Sequence, residues 1–586
     1  MGGRALAAGF GAVSKAFLLA GLLASGVGAV VARAEATPPE AVASPLPGDT
    51  DQAPTSPAAA PAGADEVSPV PAAASSGEDE PSVDPAAAPA TEEGRDPADG
   101  AVTAVTPGEA EPKPPPAHPI VAAIRSKLQD PALRKGASAD DLAALEAFYG
   151  ARGGPPLWIT AMGFSATAQA VIAEIQKAGD WGLDPQAFDL PAASDLPTTA
   201  EAQALDEIRL GLAALKYARF ARGGRLSPSR ISNLFDQKPD LRDPAAVLTE
   251  IASSAAPGAY LTSLHPKHEQ FENLRQALIK AVAGIKARGG RPESDGTVQR
   301  LIVNMERWRW MPAGLGSYYV WNNVPAFTTR VMKGGKSIYV EKVIVGQVKY
   351  ATPIFSADMR SIVFHPEWAV PETIKLEDLQ PRLRAAGGTP DLSVLRNNKL
   401  SVSYQGRAVD AATVDWRRAN ILSYTFTQAP GPHNVLGVLK FNFPNRHAIY
   451  MHDTLQPGLF NQTVRTLSHG CIRVRAPARL AALLLAEDKG WSEQHVRALL
   501  AKGTNNVTLN RPVPVHLTYF TVALDGAGRL QAHPDVYGLD KKMAGALFGK
   551  SELLSAVVPA AVKRQKRSAS NAGVGRPNAI PGLFGN

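Results

Sequence analysis

From about residue 118 to residue 290, apolar residues recur every three or four positions, which is the spacing of amphipathic α-helices. The clearest helix is predicted over 201–222, and Gly223-Gly224 is expected to end it. Its apolar stripe consists of Leu205, Ile208, Leu212 and Leu215. A capping-box-like Ser138-x-x-Asp141 and a second start at Ser165 predict two earlier helices. This region is predicted to be helical and mainly structural.

After Thr297 the pattern changes to short stretches of alternating apolar and polar residues, which is typical of β-strands. Strands are predicted at 318–322, 326–332, 336–345, 361–364, 435–443, 448–452 and 513–524. A helix over 303–310 precedes them, and we expect its Trp308 and Trp310 to pack into a core rather than to stack on sugars. Residues 371–425 interrupt the strands with a predicted helix over 376–386. The chain is therefore predicted to be an α+β protein, helical first and mainly β afterwards.

The two ends of the chain lack this periodicity. Residues 1–34 combine Arg4 and Lys15, an apolar stretch over 17–31 and a small-x-small site at Ala32-Arg33-Ala34, which predicts a cleaved secretory signal. An uncleaved membrane anchor is the alternative; either way the protein is exported. Residues 35–117, rich in Ala, Pro and acidic residues, are predicted to be a disordered linker, and 546–586 a disordered basic tail.

Charge is unevenly distributed along the chain. The formal net charge is +7, yet residues 35–117 hold 16 acidic side chains against Arg95 and Lys113. The rest of the chain is therefore more basic than the total suggests, which suits an anionic polymer as a partner. The export signal argues against nucleic acid as that polymer.

Cys471 is the only cysteine of the chain. Exported compartments favour paired cysteines, and a lone cysteine has no partner within its own chain. It is therefore either an inert core residue or a reactive thiol. The preceding Ser468-His469-Gly470 favours a reactive thiol.

A nucleophilic thiol needs an imidazole that accepts its proton. His452 precedes Cys471 by 19 positions on a predicted strand, where Tyr450 and His452 share one face and Ile449 and Met451 the other. His469 would point the same way as Cys471 if that segment is extended. The residues alone leave both histidines as candidates for the base, with Tyr450 or a backbone carbonyl orienting the ring.

Acyl transfer at a thiol also needs donors for the developing oxyanion, and the backbone N–H groups of Gly470 and Cys471 are the expected pair. Arg473 is expected to hold a substrate carboxylate or to brace the loop, the alternative being a surface ion pair. Ser468 is expected to support a histidine or the loop. No His-Glu-x-x-His motif and no cysteine cluster is present, so neither a metal nor another cofactor is predicted.

Three sequence motifs resemble those of the cysteine L,D-transpeptidases of bacterial cell walls: Tyr450-Met-His-Asp-Thr454, Ser468-His-Gly-Cys-Ile-Arg-Val474, and an Asn434-x-Leu-Gly-x-x-Lys-Phe-x-Phe-Pro-Asn445 run upstream. The resemblance covers roughly residues 301–538 and extends more weakly over 140–283. It implies a helical scaffold domain (118–296) and a catalytic domain (297–545) whose insertion at 371–425 is a cap over the cleft. It also implies that His452 is the base and that His469 shapes the pocket.

The same resemblance implies the reaction and the location. The Cys471 thiolate would attack a peptidoglycan stem tetrapeptide at diaminopimelate, release D-Ala and form a thioester. A second stem peptide as acceptor would give a 3–3 cross-link, an outer-membrane protein as acceptor would be anchored to the wall, and water would give carboxypeptidase activity. A cysteine endopeptidase and a non-catalytic wall-binding protein are alternatives, and a carbapenem is expected to acylate Cys471 only in an enzyme. The expected location is the periplasm.

Overall fold

The computed structural model of the chain describes residues 118–191, 198–384 and 389–549. The predicted signal (1–34), the linker (35–117) and the tail beyond residue 549 lie outside the described residues. Across the described ranges, no helix combines the length and the apolar character needed to cross a membrane.

The first half of the described chain is helical. Its helices are α1 (Pro119–Lys127), α2 (Pro131–Gly136), α3 (Ala139–Ala151), α4 (Ala166–Gln176), α5 (Ala200–Gly223), α6 (Pro228–Ile231), α7 (Pro244–Ser253), α8 (Pro257–Ser263) and α9 (Glu269–Ala287), with a small hairpin of β1 (Ile159–Thr160) and β2 (Gly163–Phe164). Helix α5 contacts α1, α3, α4, α7 and α8, so it is buried on almost every side. The predicted single stripe on α5 is therefore too narrow: Leu205 and Leu212 are only half-buried, whereas Leu210 and Ala214 are fully buried.

The ends of these helices follow local chemistry in most cases. The Ser165 hydroxyl accepts a hydrogen bond from the Ala168 N–H at 3.1 Å and so caps α4 as predicted. Helix α5 ends at Gly224, whose φ of +82° lies in the region that favours glycine. The predicted cap at Ser138 is wrong, since its side chain makes no capping bond. Asp141 instead forms a 2.6 Å ion pair with Arg219, which joins α3 to α5.

The second half is built around one large sheet. Its remaining helices are α10 (Gly296–Arg309), α11 (Glu372–Ile374), α12 (Gln380–Leu383), α13 (Ser393–Asn397), α14 (Pro477–Lys489), α15 (Glu493–Lys502) and α16 (Leu539–Phe548). Its strands are β3 (Tyr318–Asn323), β4 (Thr328–Lys333), β5 (Lys336–Gly346), β6 (Ser356–Phe364), β7 (Trp368–Ala369), β8 (Leu400–Tyr404), β9 (Arg407–Ala408), β10 (Tyr424–Gln428), β11 (Leu439–Asn442), β12 (Met451–His452), β13 (Thr466–Ser468), β14 (Ile472–Val474), β15 (Asn505–Thr518), β16 (Val522–Leu524) and β17 (Leu530–Ala532). These elements confirm the predicted fold class, a helical region followed by a mainly β region.

Nine strands form the large sheet in the order β13-β5-β14-β12-β11-β6-β15-β3-β4, and β4 also pairs with β5, which closes the sheet. The inward side chains of these strands and those of α14, α15 and α16 share one apolar core. Ile449, Met451 and Phe441 belong to this core and hold the central strands from behind. Burying each such side chain contributes about 1.5–3 kcal/mol. Helix α16 packs Leu547 and Phe548 against the same core, so the first residues of the predicted tail are helical.

The insertion predicted at 371–425 forms a small unit with its own core around Trp368, Trp416 and Phe426. Its helical part runs from Glu372 to Leu383, with a π-helical turn between α11 and α12. It also contains a four-stranded antiparallel sheet in the order β7-β10-β8-β9. The insertion is thus not only helical, because the short alternating stretches at 400–404 and 424–428 pair with each other.

Helix α10 joins the two halves. Trp308 and Met305 pack with Phe271 of α9 on one side and with Phe520 on the other. Trp310 is buried in the core of the large sheet, so both tryptophans are core residues as predicted. Near the end of the described residues, Arg307 forms a buried 2.6 Å ion pair with Asp540.

Candidate active site

Two predicted site residues, His452 and Arg473, lie on the adjacent strands β12 and β14, and Tyr450 and Cys471 directly precede these strands. Strand β11 pairs with β12 on its other side. Strand β12 lies between the other two, and Lys440, His452 and Arg473 are partners in register across them. Partners in register share a face of the sheet, and so do residues two positions apart. Tyr450 precedes His452 by two positions and Cys471 precedes Arg473 by two. We call these five residues the catalytic face: Lys440, Tyr450, His452, Cys471 and Arg473.

The regular part of β12 is only two residues long, shorter than the predicted strand over 448–452. Ala448 has a φ of +53°, an unfavourable value for a residue with a Cβ, and it ends the extended backbone. The alternation of Tyr450 and His452 against Ile449 and Met451 is nevertheless present, because the latter two are core residues.

The Cys471 thiol is free and partly exposed. Its Sγ donates a long hydrogen bond to the Ala448 carbonyl oxygen at 3.9 Å. Burial raises the pKa of the Cys471 thiol to about 11, although hydrogen bonds from Tyr450 and the charges of Lys440 and Arg473 act in the opposite direction. The resting sulfur is therefore a thiol at neutral pH.

His452 is only 5% exposed, and burial together with the charge of Arg473 lowers the pKa of its imidazole to about 3. The backbone carbonyls of Asp453 and Leu436 face the ring and act in the opposite direction. Among the hydrogen bonds of the described residues, none joins the Cys471 Sγ to an imidazole. Both pKa shifts favour the neutral thiol and the neutral imidazole in the resting protein, because burial disfavours the charged form of each group.

His469 is directed toward the insertion. Its ring lies 4.3 Å from the ring of Tyr350, and its Nε2 is 3.5 Å from the Asp378 carboxylate. Burial and the charge of Arg473 lower the pKa of His469 to about 4. Beside it, Glu377 accepts hydrogen bonds from Lys349 and Tyr350. The insertion thus contacts the pocket wall through two acidic residues that the sequence analysis did not single out.

The turn before the thiol is held by Ser468. Its hydroxyl accepts from the Gly470 N–H at 3.1 Å and donates to the Cys471 carbonyl oxygen at 2.5 Å. Ser468 therefore supports the loop rather than a histidine. Of the two predicted oxyanion donors, the Gly470 N–H is engaged with Ser468 in this structure, whereas the Cys471 N–H donates no hydrogen bond among the described residues.

A second set of contacts braces this turn from β5. The Thr352 hydroxyl donates to the Gly470 carbonyl oxygen at 2.7 Å and accepts from the Gly346 N–H at 2.9 Å. Gly470 has a φ of +112°, and a Cβ on Gly346 would lie 2.1 Å from the Tyr350 carbonyl oxygen. Only glycine fits at position 346. Without a Cβ there, the backbone at Gly346 can approach the backbone at Tyr350 closely. No short motif signalled this brace, since its members are far apart in sequence.

Other histidines have structural roles. The His365 Nε2 is 2.7 Å from the Leu500 carbonyl oxygen, in agreement with the prediction that it is structural or pocket-lining. No group of three His, Cys, Asp or Glu side chains in the described ranges is placed to hold a metal ion.

Lys440 is the residue of the catalytic face that the sequence analysis missed as a site residue. Its Nζ lies 4.4 Å above the centre of the Tyr450 ring. A signal was present, since Lys440 alternates with the core residues Leu439 and Phe441 on a strand next to the predicted site. This alternation places Lys440 at the site only when the order of the strands is known.

The helical half also reaches the site through Asp236. The Phe235–Ile354 bridge adds this segment to the catalytic half. The Asp236 carboxylate accepts a hydrogen bond from Arg446 and lies 2.8 Å from the His447 Nε2. His447 adjoins Ala448, whose carbonyl holds the thiol. Asp236 therefore fixes the turn that positions the resting sulfur.

We expect Asp236→Asn to lower acylation of Cys471 about tenfold, because small displacements of a reacting group are costly. The loss of stability should stay below about 1 kcal/mol, since Arg446 is exposed. Single-turnover kinetics and urea unfolding measure the two effects. Asp141→Asn is the matched control: it breaks a more buried pair with Arg219, far from the turn, and should lower stability without changing the acylation rate of the folded protein. Equal acylation rates in wild type and Asp236→Asn would show that the contact is only structural.

The raised pKa of Cys471 predicts an unusual pH profile for alkylation. Because only the thiolate reacts, the rate with iodoacetamide should keep rising with pH until about 11. The urea-unfolded chain should level off near about 8.5, the ordinary value for cysteine. Rates measured by mass spectrometry across this range test the prediction. A plateau below about pH 8 in the folded protein would instead indicate a resting ion pair with an imidazole.

With the geometry established, comparison with known proteins identifies the two halves. Residues 317–512 match the family model of the L,D-transpeptidase catalytic domain, and residues 143–278 match that of the scaffold domain. The resemblance found in the sequence is thereby confirmed: the chain contains an L,D-transpeptidase catalytic domain preceded by a scaffold domain.

A curated protein of Haemophilus influenzae, provisionally named an L,D-transpeptidase, is 35% identical over 247 residues. The match covers 42% of this chain and 49% of that protein, so the chain spans about half the length of this relative. Among solved structures, an L,D-transpeptidase from Mycobacterium smegmatis is 13% identical and covers 34% of this chain and 58% of its own, with a TM-score of 0.17. L,D-transpeptidase 3 from Mycobacterium tuberculosis is 14% identical and covers 34% of this chain and 61% of its own, with a TM-score of 0.16.

Proposed function

We propose that this protein is a periplasmic peptidoglycan L,D-transpeptidase that makes 3–3 cross-links with Cys471 as its nucleophile. The observation that carries the proposal is the catalytic face itself. It places the chain's only thiol on the same face as an imidazole and two cations, within the segment that matches the catalytic-domain family. The braced turn at Gly470 supports the proposal, because it fixes the sulfur and the Cys471 N–H relative to each other.

In the proposed acylation, the neutral His452 imidazole accepts the thiol proton while the sulfur attacks the carbonyl carbon of diaminopimelate. The carbon–sulfur bond forms, and the carbonyl oxygen takes the negative charge and receives a hydrogen bond from the Cys471 N–H. The carbon–nitrogen bond to D-Ala then breaks, and the imidazolium returns its proton to the leaving amine. A thioester on Cys471 and free D-Ala result.

In the second half-reaction the acceptor amine attacks the thioester carbonyl carbon and loses a proton to His452. The carbon–sulfur bond breaks, and the imidazolium returns the proton to the leaving sulfur, which restores the thiol. For a 3–3 cross-link this amine is the side chain of diaminopimelate in a second stem. The surface formed by Glu377, Asp378 and His469 adjoins the turn before Cys471, and Asp378 offers a carboxylate to a cationic amine, whereas Glu377 is paired with Lys349. We assign the acceptor approach to this side, with the insertion as its wall.

Purified tetrapeptide muropeptides provide the test. The wild-type protein should release D-Ala and yield 3–3 dimers, identified by mass spectrometry of the products. Tripeptides without dimers would reassign the protein as a carboxypeptidase, and cleavage within longer stems as an endopeptidase. If isolated walls instead carry peptide-modified muropeptides, the acceptor is an outer-membrane protein. No reaction, together with no mass shift on incubation with a carbapenem, would indicate a non-catalytic wall-binding protein.

A further inference from the structure

The two cations of the catalytic face, Arg473 and Lys440, have no carboxylate partner among the described residues. Arg473 is 5% exposed; its Nε is buried without a hydrogen-bond partner, and its Nη1 reaches only the neutral Gln456 amide at 3.4 Å. Lys440 rests on the Tyr450 ring and forms no ion pair in the part of the chain described. A buried charge without a counter-ion costs several kcal/mol, and an anionic ligand in contact with both side chains would offset part of that cost.

The surroundings show that this positive charge is not neutralised by the protein itself. Asp453, the acidic residue next to His452 in sequence, directs its carboxylate to the Val438 N–H in the turn at Gly437. Asp378 and Glu377 are engaged with His469, Lys349 and Tyr350 on the insertion side. The resting thiol is uncharged, so it does not balance the cations either. The anion must therefore come with a ligand.

The positions of the two cations indicate where that anion lies. Lys440 is on the strand beyond β12, and Arg473 is two residues along the strand that carries the sulfur. Adjacent strands are about 4.8 Å apart, and residues two positions apart on a strand about 6.6 Å. A carboxylate one residue beyond a carbonyl held at the sulfur would lie within this range, since consecutive Cα atoms are about 3.8 Å apart.

We propose that Lys440 and Arg473 together bind the C-terminal carboxylate of the donor peptide, which makes the enzyme selective for a scissile bond directly before the last residue. Lys440 is the new member of this site. The inference rests on the proposed function, because it takes the donor stem as the natural ligand. A planar guanidinium suits one edge of a carboxylate, and the mobile ammonium can reach the other oxygen.

The test compares two alkylating probes of similar size, iodoacetate and iodoacetamide. Both transfer a carbon to the Cys471 sulfur with loss of iodide, but only iodoacetate carries a carboxylate. The ratio of their rates in one protein cancels the thiolate fraction, so it separates carboxylate binding from simple activation of the thiol. In the wild type the ratio should exceed that of the urea-unfolded chain by about tenfold, the scale of one charge-assisted hydrogen bond.

Three variants complete the experiment. Lys440→Met should lower the ratio about tenfold, whereas Lys440→Arg should keep it within about threefold of wild type. The control Lys333→Met removes an exposed lysine of β4 that pairs with Glu487, and it should leave the ratio unchanged. If Lys440→Met does not fold, Lys440→Gln, which also removes the charge, takes its place and should lower the ratio by the same amount. Equal ratios in wild type and Lys440→Met, or a wild-type ratio no higher than in the unfolded chain, would overturn the proposal.

A second measurement links the site to the substrate. Tetrapeptide donors with a free C-terminal acid should react faster than the same donors with a C-terminal amide, and Lys440→Met should reduce the ratio of the acid rate to the amide rate. The alkylation ratio does not require transpeptidation. A protein that keeps the ratio but consumes no donor would therefore refute the proposed function alone, whereas donor consumption without any preference for the acid would refute the carboxylate site alone.

Discussion

Cys471→Ala is expected to abolish D-Ala release from tetrapeptide muropeptides, by at least about 10³-fold. No other cysteine is available in the chain, and the proposed intermediate is a bond to this sulfur. The fold should survive, because the side chain is small, partly exposed and only borders the core. Intact-protein mass spectrometry should detect an acyl adduct on the wild type and none on the variant.

Two controls make this result specific. Cys471→Ser preserves the shape of the side chain but replaces the thiol with a hydroxyl, which is far harder to ionise, so it should be nearly as inactive. Thermal unfolding of all three proteins should agree to within a few degrees. Substantial D-Ala release by the folded alanine variant would show that another group is the nucleophile and would remove the basis of the proposed function.

His452→Ala is expected to lower the rate of Cys471 acylation by about 10²–10⁴-fold, the usual contribution of a general base. His452 lies on the strand next to Cys471 and on the same face of the sheet. His469→Ala should cost less than about tenfold, because its imidazole is engaged with Tyr350 and Asp378. Single-turnover acylation with a carbapenem measures both variants directly.

Because His452 is buried, its removal also leaves a cavity, and unfolding must be measured alongside the rate. His452→Gln keeps most of the side-chain volume without a basic group, so it should be as slow as the alanine variant but more stable. If His469→Ala is the slower of the two alanine variants, the base is His469 and the roles of the two imidazoles are exchanged.

The sequence predicted those parts of the site that depend on short-range patterns. The alternation around Tyr450 and His452 and the glycine before Cys471 are local properties, and the structure contains both. The roles of Cys471 and His452 stay predictions, now with a defined geometry. The pairing of Gly470 with Cys471 as oxyanion donors also stays a prediction, and the folded turn adds the contact of the Gly470 N–H with the Ser468 hydroxyl.

The parts that were missed depend on which strands become neighbours. Lys440 joins the site because β11 pairs with β12, and Thr352 because β5 lies close to the turn at Gly470. Asp236 reaches the site from a helical region that the sequence marked only as structural. Neither apolar periodicity nor spacing along the chain shows that Lys440, Thr352 and Asp236 lie close to the site.

By itself, the sequence of this protein determined the helical half, the mainly β half and the position of a single thiol near histidines. It also predicted an export signal. The tertiary structure decided which polar groups surround that thiol and whether they are charged. The physical reason is that periodicity is encoded within a few residues, whereas strand order and desolvation arise from contacts between distant segments. Burial is the largest cause of the shifts that favour a neutral Cys471 and a neutral His452, and the charge of Arg473 adds to it at His452.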